Sequence, residues 1–190
     1  HDLIDELGLK HVHIKLNSLG NEAPRAQFKA ALIEYFTPRI DQLSFESKQR
    51  LEKNPLRILD SKDEGDRLLI KDAPKPLDYL DQDSKAYFDQ VLAYLDQSKM
   101  PYVIEKTLVR GLDYYSHTVF EIEATIEGFG AQNVLGGGGR YQHMVSELGG
   151  PDKAAIGFAF GMERLIYALE QENLLKDETN ALDAYVITFN

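Results

Sequence analysis

A chain of 190 residues with 43% hydrophobic and 27% charged side chains can bury a real core, and it has room for one domain with an appended subdomain. It contains no apolar run near the roughly 20 residues of a membrane helix, and zero cysteines exclude disulfides and thiolate metal sites. The 31 acidic against 21 basic residues give a formal net charge of -10, which disfavours broad contact with a phosphate backbone and leaves only local nucleic-acid contact open.

In chain order, His1 to Leu7 reads as the end of a helix stopped at Gly8. This start is not a secretory signal, so a cytoplasmic location is expected. His11 to Leu16 alternates, with Val12, Ile14 and Leu16 on one face of a half-buried strand and His11, His13 and Lys15 on the other. The His-x-His pair has no third ligand in reach of the pattern, and two solvent-facing imidazoles are expected rather than a metal site.

From Asn21 to Val103 short helices alternate with proline. Asn21 caps a helix with Pro24 in its first turn and Phe28, Leu32, Tyr35 and Phe36 at helical spacing, ended by Pro38. Further helices are expected over Ser44 to Lys53 and Asp63 to Lys71. A fourth carries the stripe Tyr87, Phe88, Val91, Leu92, Tyr94 and Leu95, capped by Asp83 or Ser84. Asn54 to Lys62, N-P-L-R-I-L-D-S-K, reads as a connector with Leu56, Ile58 and Leu59 tucked under the helices.

After Pro101 the pattern turns to strands. Tyr102 to Ile104 leads into L-V-R-G-L-D-Y-Y-S-H-T-V-F-E-I at Leu108 to Ile122, which holds more polar chemistry than a strand needs for packing alone. A strand from Tyr114 to Ile126 would place Tyr115, His117, Val119, Glu121 and Glu123 on one face, so a sheet with one wet, functional face is expected. A hairpin turn at Glu127 to Gly130 and a return over Ala131 to Leu135 follow.

Gly136 to Gly139, then Arg140 and Tyr141, suggest a place where a ligand approaches the backbone, because ordering four glycines in a purely structural strand is entropically costly; a flexible loop is the alternative. A short helix from Gln142 to Leu148 ends at Gly149-Gly150-Pro151. Ala155 to Phe160 reads as a buried strand, and Gly161 as the step into a helix burying Leu165, Ile166 and Leu169. Arg164 in its first turn opposes the helix dipole, so it should reach either an anion or a nearby carboxylate.

R-G-L-D-Y-Y at Arg110 to Tyr115, the glycine run ending in Arg140-Tyr141, and G-F-A-F-G-M-E-R at Gly157 to Arg164 resemble the histidyl-tRNA synthetase family in order and spacing. L-N-S-L-G at Leu16 to Gly20 and N-P-L-R-I-L-D-S-K extend the resemblance along essentially the whole chain. It implies an α+β fold: part of a class II synthetase antiparallel sheet with flanking helices, plus a small helical insertion subdomain. The implied divisions are 1–20, the end of a first catalytic segment; 21–103, the insertion; 104–175, the catalytic remainder; and 176–190, a linker and the first strand of an anticodon-binding domain.

The implied reaction joins histidine to ATP as histidyl-adenylate and then passes the acyl group to tRNA-His, with Mg2+ accompanying ATP as substrate and a homodimer as the assembly. Arg110 is implied as the catalytic cation at the α-phosphate; Tyr114, Tyr115, Gly137, Gly138 and Tyr141 as histidine-binding; and Arg110, Gly161 and Arg164 as ATP-binding. The start without methionine and the strand-like close D-A-Y-V-I-T-F-N suggest a piece of a longer protein. Such a piece, lacking the family's first two motifs, is expected not to form adenylate alone. A histidine-sensing paralogue and a tRNA-binding synthetase-like domain are the alternatives; the long insertion and the intact R-G-L-D-Y-Y argue against them.

Overall fold

The computed structural model describes residues 2–111, 114–126 and 133–175. His1, the Leu112-Asp113 step, the expected turn at Glu127 to Gly130, the first two residues of the return expected over Ala131 to Leu135 and the expected strand within 176–190 lie outside the described residues.

Helix α1 (Asp2–Leu7) ends at Gly8, whose φ of +78° is the left-handed stop expected of glycine. Strand β1 (Val12–Ser18) then runs into the insertion, where α2 (Glu22–Phe36), α3 (Phe45–Lys53), α4 (Glu64–Lys71) and α5 (Gln82–Gln97) each begin at a side-chain cap. Asn21, Ser44, Asp63 and Asp81 accept from backbone N–H groups two or three residues onward, satisfying donors that a helix start leaves orphaned. The cap of α5 is therefore Asp81, not Asp83 or Ser84: its carboxylate accepts from Ser84 N at 2.7 Å.

Phe28, Leu32, Phe36 and Ile58 are buried together at the centre of this subdomain. Each such side chain contributes about 2 kcal/mol by leaving water. The 3-10 turn over Pro55–Asp60 buries Leu56, Ile58 and Leu59, as the connector reading expects. Beside it, the fully buried Asp66 carboxylate accepts from Ser44 N (2.9 Å) and the hydroxyls of Ser44 (2.7 Å), Ser47 (2.5 Å) and Ser61 (2.6 Å). One carboxylate thus ties the starts of α3 and α4 to the connector.

Strands β2 (Tyr102–Ile104), β3 (Tyr115–Ala124), β4 (Val134–Tyr141) and β5 (Ala155–Phe160) complete a five-stranded sheet in the order β2-β1-β3-β4-β5. The fold is α+β, and the sheet is antiparallel except at β1–β2, which pair in parallel. The expectation of an antiparallel sheet needs that correction because the insertion lies between β1 and β2 and supplies the long crossover a parallel pair requires.

The register gives the sheet two faces. Lys15↔Glu121 and Asn17↔Val119 share the front, against the helical subdomain, while Ile14↔Ile122 and Leu16↔Phe120 share the rear. At one end of the rear face, α1 and α7 (Met162–Gln171) pack Ile4, Leu165 and Ala168 against Ile122 and Leu135.

Five local readings differ from expectation. Gly136 to Gly139 are neither a loop nor an unfavourable strand but the middle of β4, paired on both sides. The cost of ordering them is offset because the neighbours come too close for side chains: a Cβ on Gly138 would stand 2.0 Å from the Gly157 carbonyl oxygen. Among the described residues strand β5 lies at the edge of the sheet rather than buried within it, and exposes Ile156 (70%) and Phe158 (65%). In α7 the buried pair is Leu165 and Ala168, while Ile166 is exposed. Tyr94 likewise leaves the expected apolar stripe of α5 for solvent, and the helix after Tyr141, α6 (Met144–Glu147), is one turn long.

Candidate active site

Between the front face and the insertion lies a cleft of about 480 Å³ lined by Lys15, Glu121 and Glu123 from the sheet and by Asp60, Lys62, Arg67 and Lys71 from the insertion. At its edge Arg110 donates through Nη1 to Glu121 Oε1 at 2.6 Å. Glu121 stands opposite Gly137 in the β3–β4 ladder, and the missing side chain of that glycine makes room for the guanidinium: a Cβ there would lie 2.9 Å from Arg110 Nη1. Arg110 Nε is buried with no hydrogen-bond partner among the described residues, so one donor of this cation is unused.

The loop that carries Arg110 is held from below. Asn17, fully buried on β1, donates through Nδ2 to the Leu108 carbonyl at 2.9 Å and accepts from Ser18 N at 2.9 Å. A buried amide with both ends paired is a rigid spacer between strand and loop.

Beyond Arg110 the rings gather. Tyr115 faces Tyr141 across the ladder with centroids 6.3 Å apart, Tyr114 meets Tyr115 at 4.6 Å and Tyr141 edge-on at 5.6 Å, and the Arg110 guanidinium lies 5.9 Å from the Tyr115 ring. Tyr115 is buried and Tyr114 is exposed at 36%, so one side of the cluster is open. A hydrogen bond with Tyr115 and burial raise the Tyr114 pKa, keeping its hydroxyl protonated and able to donate. The Tyr141 hydroxyl reaches Gly157 of β5, where a Cβ would stand 2.5 Å from it.

Burial raises the pKa of Glu121, and the adjacent Arg110 opposes that rise. For Glu123 burial again raises the pKa, but Lys15, Asn133 and His13 outweigh it and the carboxyl is held below its ordinary value. His13 thus donates to, or is paired with, Glu123 at 3.0 Å rather than standing free in solvent. Arg164, in the first turn of α7, donates to the Val134 carbonyl at 2.8 Å, and no ion pair joins it to a carboxylate among the described residues; Val134 also lines the cleft. Gly161 caps α7 and donates to Leu135 O at 2.8 Å.

Arg110, Tyr114, Tyr115, Gly137 and Tyr141 therefore come together, and Arg164 and Gly161 lie at the other end of β4. Gly138 faces the rear, where its lack of a Cβ serves the close approach of β5. Glu121 and Asn17 are absent from the residues singled out by sequence. The only signal for Glu121 was a carboxylate on the same strand face as Tyr115, and Asn17 lay unmarked within L-N-S-L-G.

The histidyl-tRNA synthetase family model matches residues 7–165. The chain belongs to the histidyl-tRNA synthetase family. It is 60% identical to a histidine-tRNA ligase of Acholeplasma laidlawii over 190 residues, 100% of this chain and 45% of that protein. Against a histidine-tRNA ligase of Listeria innocua it is 48% identical over 183 residues, covering 96% of this chain and 43% of the relative. The fold is similar to an apo histidyl-tRNA synthetase of S. aureus, with a TM-score of 0.70 at 38% identity, over 93% of this chain and 42% of that one. The chain thus spans less than half the length of these relatives.

Proposed function

We propose that this chain is the part of a histidine-tRNA ligase that carries the histidine tyrosines and the α-phosphate cation. The observation that supports it most is Arg110: a guanidinium set over a glycine, fixed on one side by Glu121 and left with a buried, unsatisfied Nε beside the tyrosine cluster. A phosphate oxygen would satisfy that donor. In this reading the histidine carboxylate forms a bond to the α-phosphorus of ATP, the bond to the bridging oxygen breaks, and pyrophosphate leaves. Arg110 then stabilises the charge gathered on the α-phosphate, with Glu121 limiting its reorganisation.

Tyr114, Tyr115 and Tyr141 supply hydroxyls for the imidazole nitrogens, which rejects isosteric side chains that lack them. Gly137 keeps the front of the β4 backbone narrow beneath the ligand, and Gly138, which faces the rear, lets β5 approach behind it. Gly161 and Arg164, at the β5–α7 junction, serve the distal phosphates once Arg164 exchanges the Val134 carbonyl for an anion. Mg2+ enters as part of the ATP substrate, held by its phosphate oxygens.

The divisions 1–20, 21–103 and 104–175 act as catalytic strand, insertion and catalytic remainder, with 176–190 leading to an anticodon-binding domain. The whole protein acts on tRNA-His as a cytoplasmic homodimer. The test is aminoacylation of tRNA-His by a polypeptide of the relatives' full length carrying this chain, with Arg110→Ala as control. Charging that falls at least a hundredfold in the control supports the reading, and a wild-type protein that charges no tRNA refutes it.

A further inference from the structure

None of these roles uses Tyr87, which lies on α5 in the insertion. Its ring meets the His117 ring at a centroid distance of 4.8 Å. Arg140 reaches it in two ways, Nη1 donating to the phenol oxygen at 3.1 Å and the guanidinium carbon lying 5.1 Å from the ring centroid. Both contacts fall where the sheet departs from regular pairing. His117 has a φ of +51°, in the left-handed region that a side chain disfavours, and β3 slips against β4 between Ser116 and Val119. Its backbone is pinned at both ends, donating to Gly20 O at 2.7 Å and accepting from Leu19 N at 2.8 Å. The ring is not anchored through Nδ1, which is buried with no hydrogen-bond partner among the described residues.

This bulge sits between two groups that matter. Tyr115 pairs with Tyr141 and Ser116 with Arg140, so the slip begins directly beside both tyrosines, and Arg140 immediately precedes Tyr141 in the chain. A contact that fixes His117 and Arg140 together sets the relative position of the strands bearing the two phenols.

We infer that Tyr87 is a positioning residue for histidine recognition, a wedge from the helical insertion that holds the spacing of Tyr115 and Tyr141 by packing its tilted ring against His117 and binding Arg140. The inference rests on the reading that Tyr115 and Tyr141 line the histidine pocket. The pocket is then built jointly by sheet and insertion, and the insertion acts on amino-acid selection without touching the amino acid.

The test places Tyr87→Ala and Tyr87→Phe in the full-length protein and measures kcat and both KM values by histidine-dependent ATP–pyrophosphate exchange, with folding followed by circular dichroism. Tyr87→Ala should raise the histidine KM about tenfold while the ATP KM stays within twofold; Tyr87→Phe keeps the ring contact, loses the hydroxyl, and should raise the histidine KM about threefold. An unchanged histidine KM in a folded variant, or equal rises in both KM values, overturns the inference. Should Tyr87→Ala not fold, Tyr87→Phe decides alone by the same criterion. A wild type without histidine-dependent exchange overturns the functional reading and this inference with it, whereas an active wild type with unaffected Tyr87 variants overturns the inference only.

Discussion

Gly137→Ala adds one methyl group to a strand and should remove most of the activity, with a smaller loss of stability than Gly138→Ala. Its Cβ would stand 2.7 Å from the Phe120 carbonyl oxygen and 2.9 Å from Arg110 Nη1, with Arg110 Cζ at 3.2 Å. Ordinary contacts begin near 3.4 Å, so the overlap is about 0.7 Å on the Phe120 oxygen, about 0.5 Å on Nη1 and about 0.2 Å on Cζ, and the backbone oxygen is the less able to yield. The guanidinium, at the end of a flexible side chain, moves by about 1 Å, which strains its 2.6 Å bond to Glu121, while the Phe120 contact is relieved only by a shift of the β3–β4 backbone that costs stability as well. Misplacing a positioned cation by that distance costs about a hundredfold in rate, or about 2.7 kcal/mol of transition-state stabilisation. The measurement is kcat for histidine-dependent ATP–pyrophosphate exchange in the full-length protein, with a melting curve as control. Gly138→Ala provides the contrast: its Cβ faces the rear and would meet Gly157 O at 2.0 Å, so it should lower the melting temperature rather than act on Arg110. A Gly137→Ala protein that keeps kcat within threefold of wild type would refute the placement of Arg110 over this glycine.

Other substitutions probe the remaining parts. Glu121→Gln keeps a hydrogen-bond acceptor beside Arg110 but removes its charge, and kcat should fall about tenfold. Because burial raises the Glu121 pKa, the wild-type acid limb should lie above the ordinary carboxylate range and be absent from Glu121→Gln; an identical limb in both sinks the assignment. Asp66→Asn replaces charge-assisted bonds by neutral ones at a fully buried site and should cost about 3 kcal/mol, read as the shift in denaturant midpoint. Although burial pushes the Asp66 pKa up, the bonds from Ser47, Ser61 and Ser44 outweigh it and hold the folded value below the unfolded one. Its stabilisation is therefore fully present above about pH 4 and lost as pH falls through the folded pKa, so Asp66→Asn should flatten the acid end of the stability curve; parallel curves would contradict this. Asn17→Ala cuts the strut to Leu108 O and should cost about 2 kcal/mol while lowering kcat more than it raises the histidine KM; a variant that loses stability alone would make Asn17 merely structural.

Much of the fold was written locally. The caps at Asn21, Ser44 and Asp63, the helical spacing of Phe28, Leu32 and Phe36 and the alternation from Val12 to Leu16 are all governed by neighbours a few residues away, and each element forms where that chemistry places it. The misread elements depend on partners that are distant in sequence. Whether Ala155 to Phe160 is buried or an edge depends on what lies beyond it in the sheet, and an apolar run cannot state that. The glycine run was legible as unusual, but its reason lies in the approach of β3 and β5 backbones, which only the register supplies.

The same division holds for the site. By itself the sequence carried the family, through motifs that resemble it and a family match over residues 7–165, and it flagged the residue types, because a cation, four glycines and paired tyrosines in that order are chemically improbable as packing alone. Tertiary structure decided their working relations: Glu121 beside Arg110, Asn17 beneath its loop, and Tyr87 against His117 are separated by 11, 91 and 30 positions. Contacts of that kind are fixed by strand register and by how the insertion folds back on the sheet. Those are properties of the assembled chain, and no short stretch of residues encodes them.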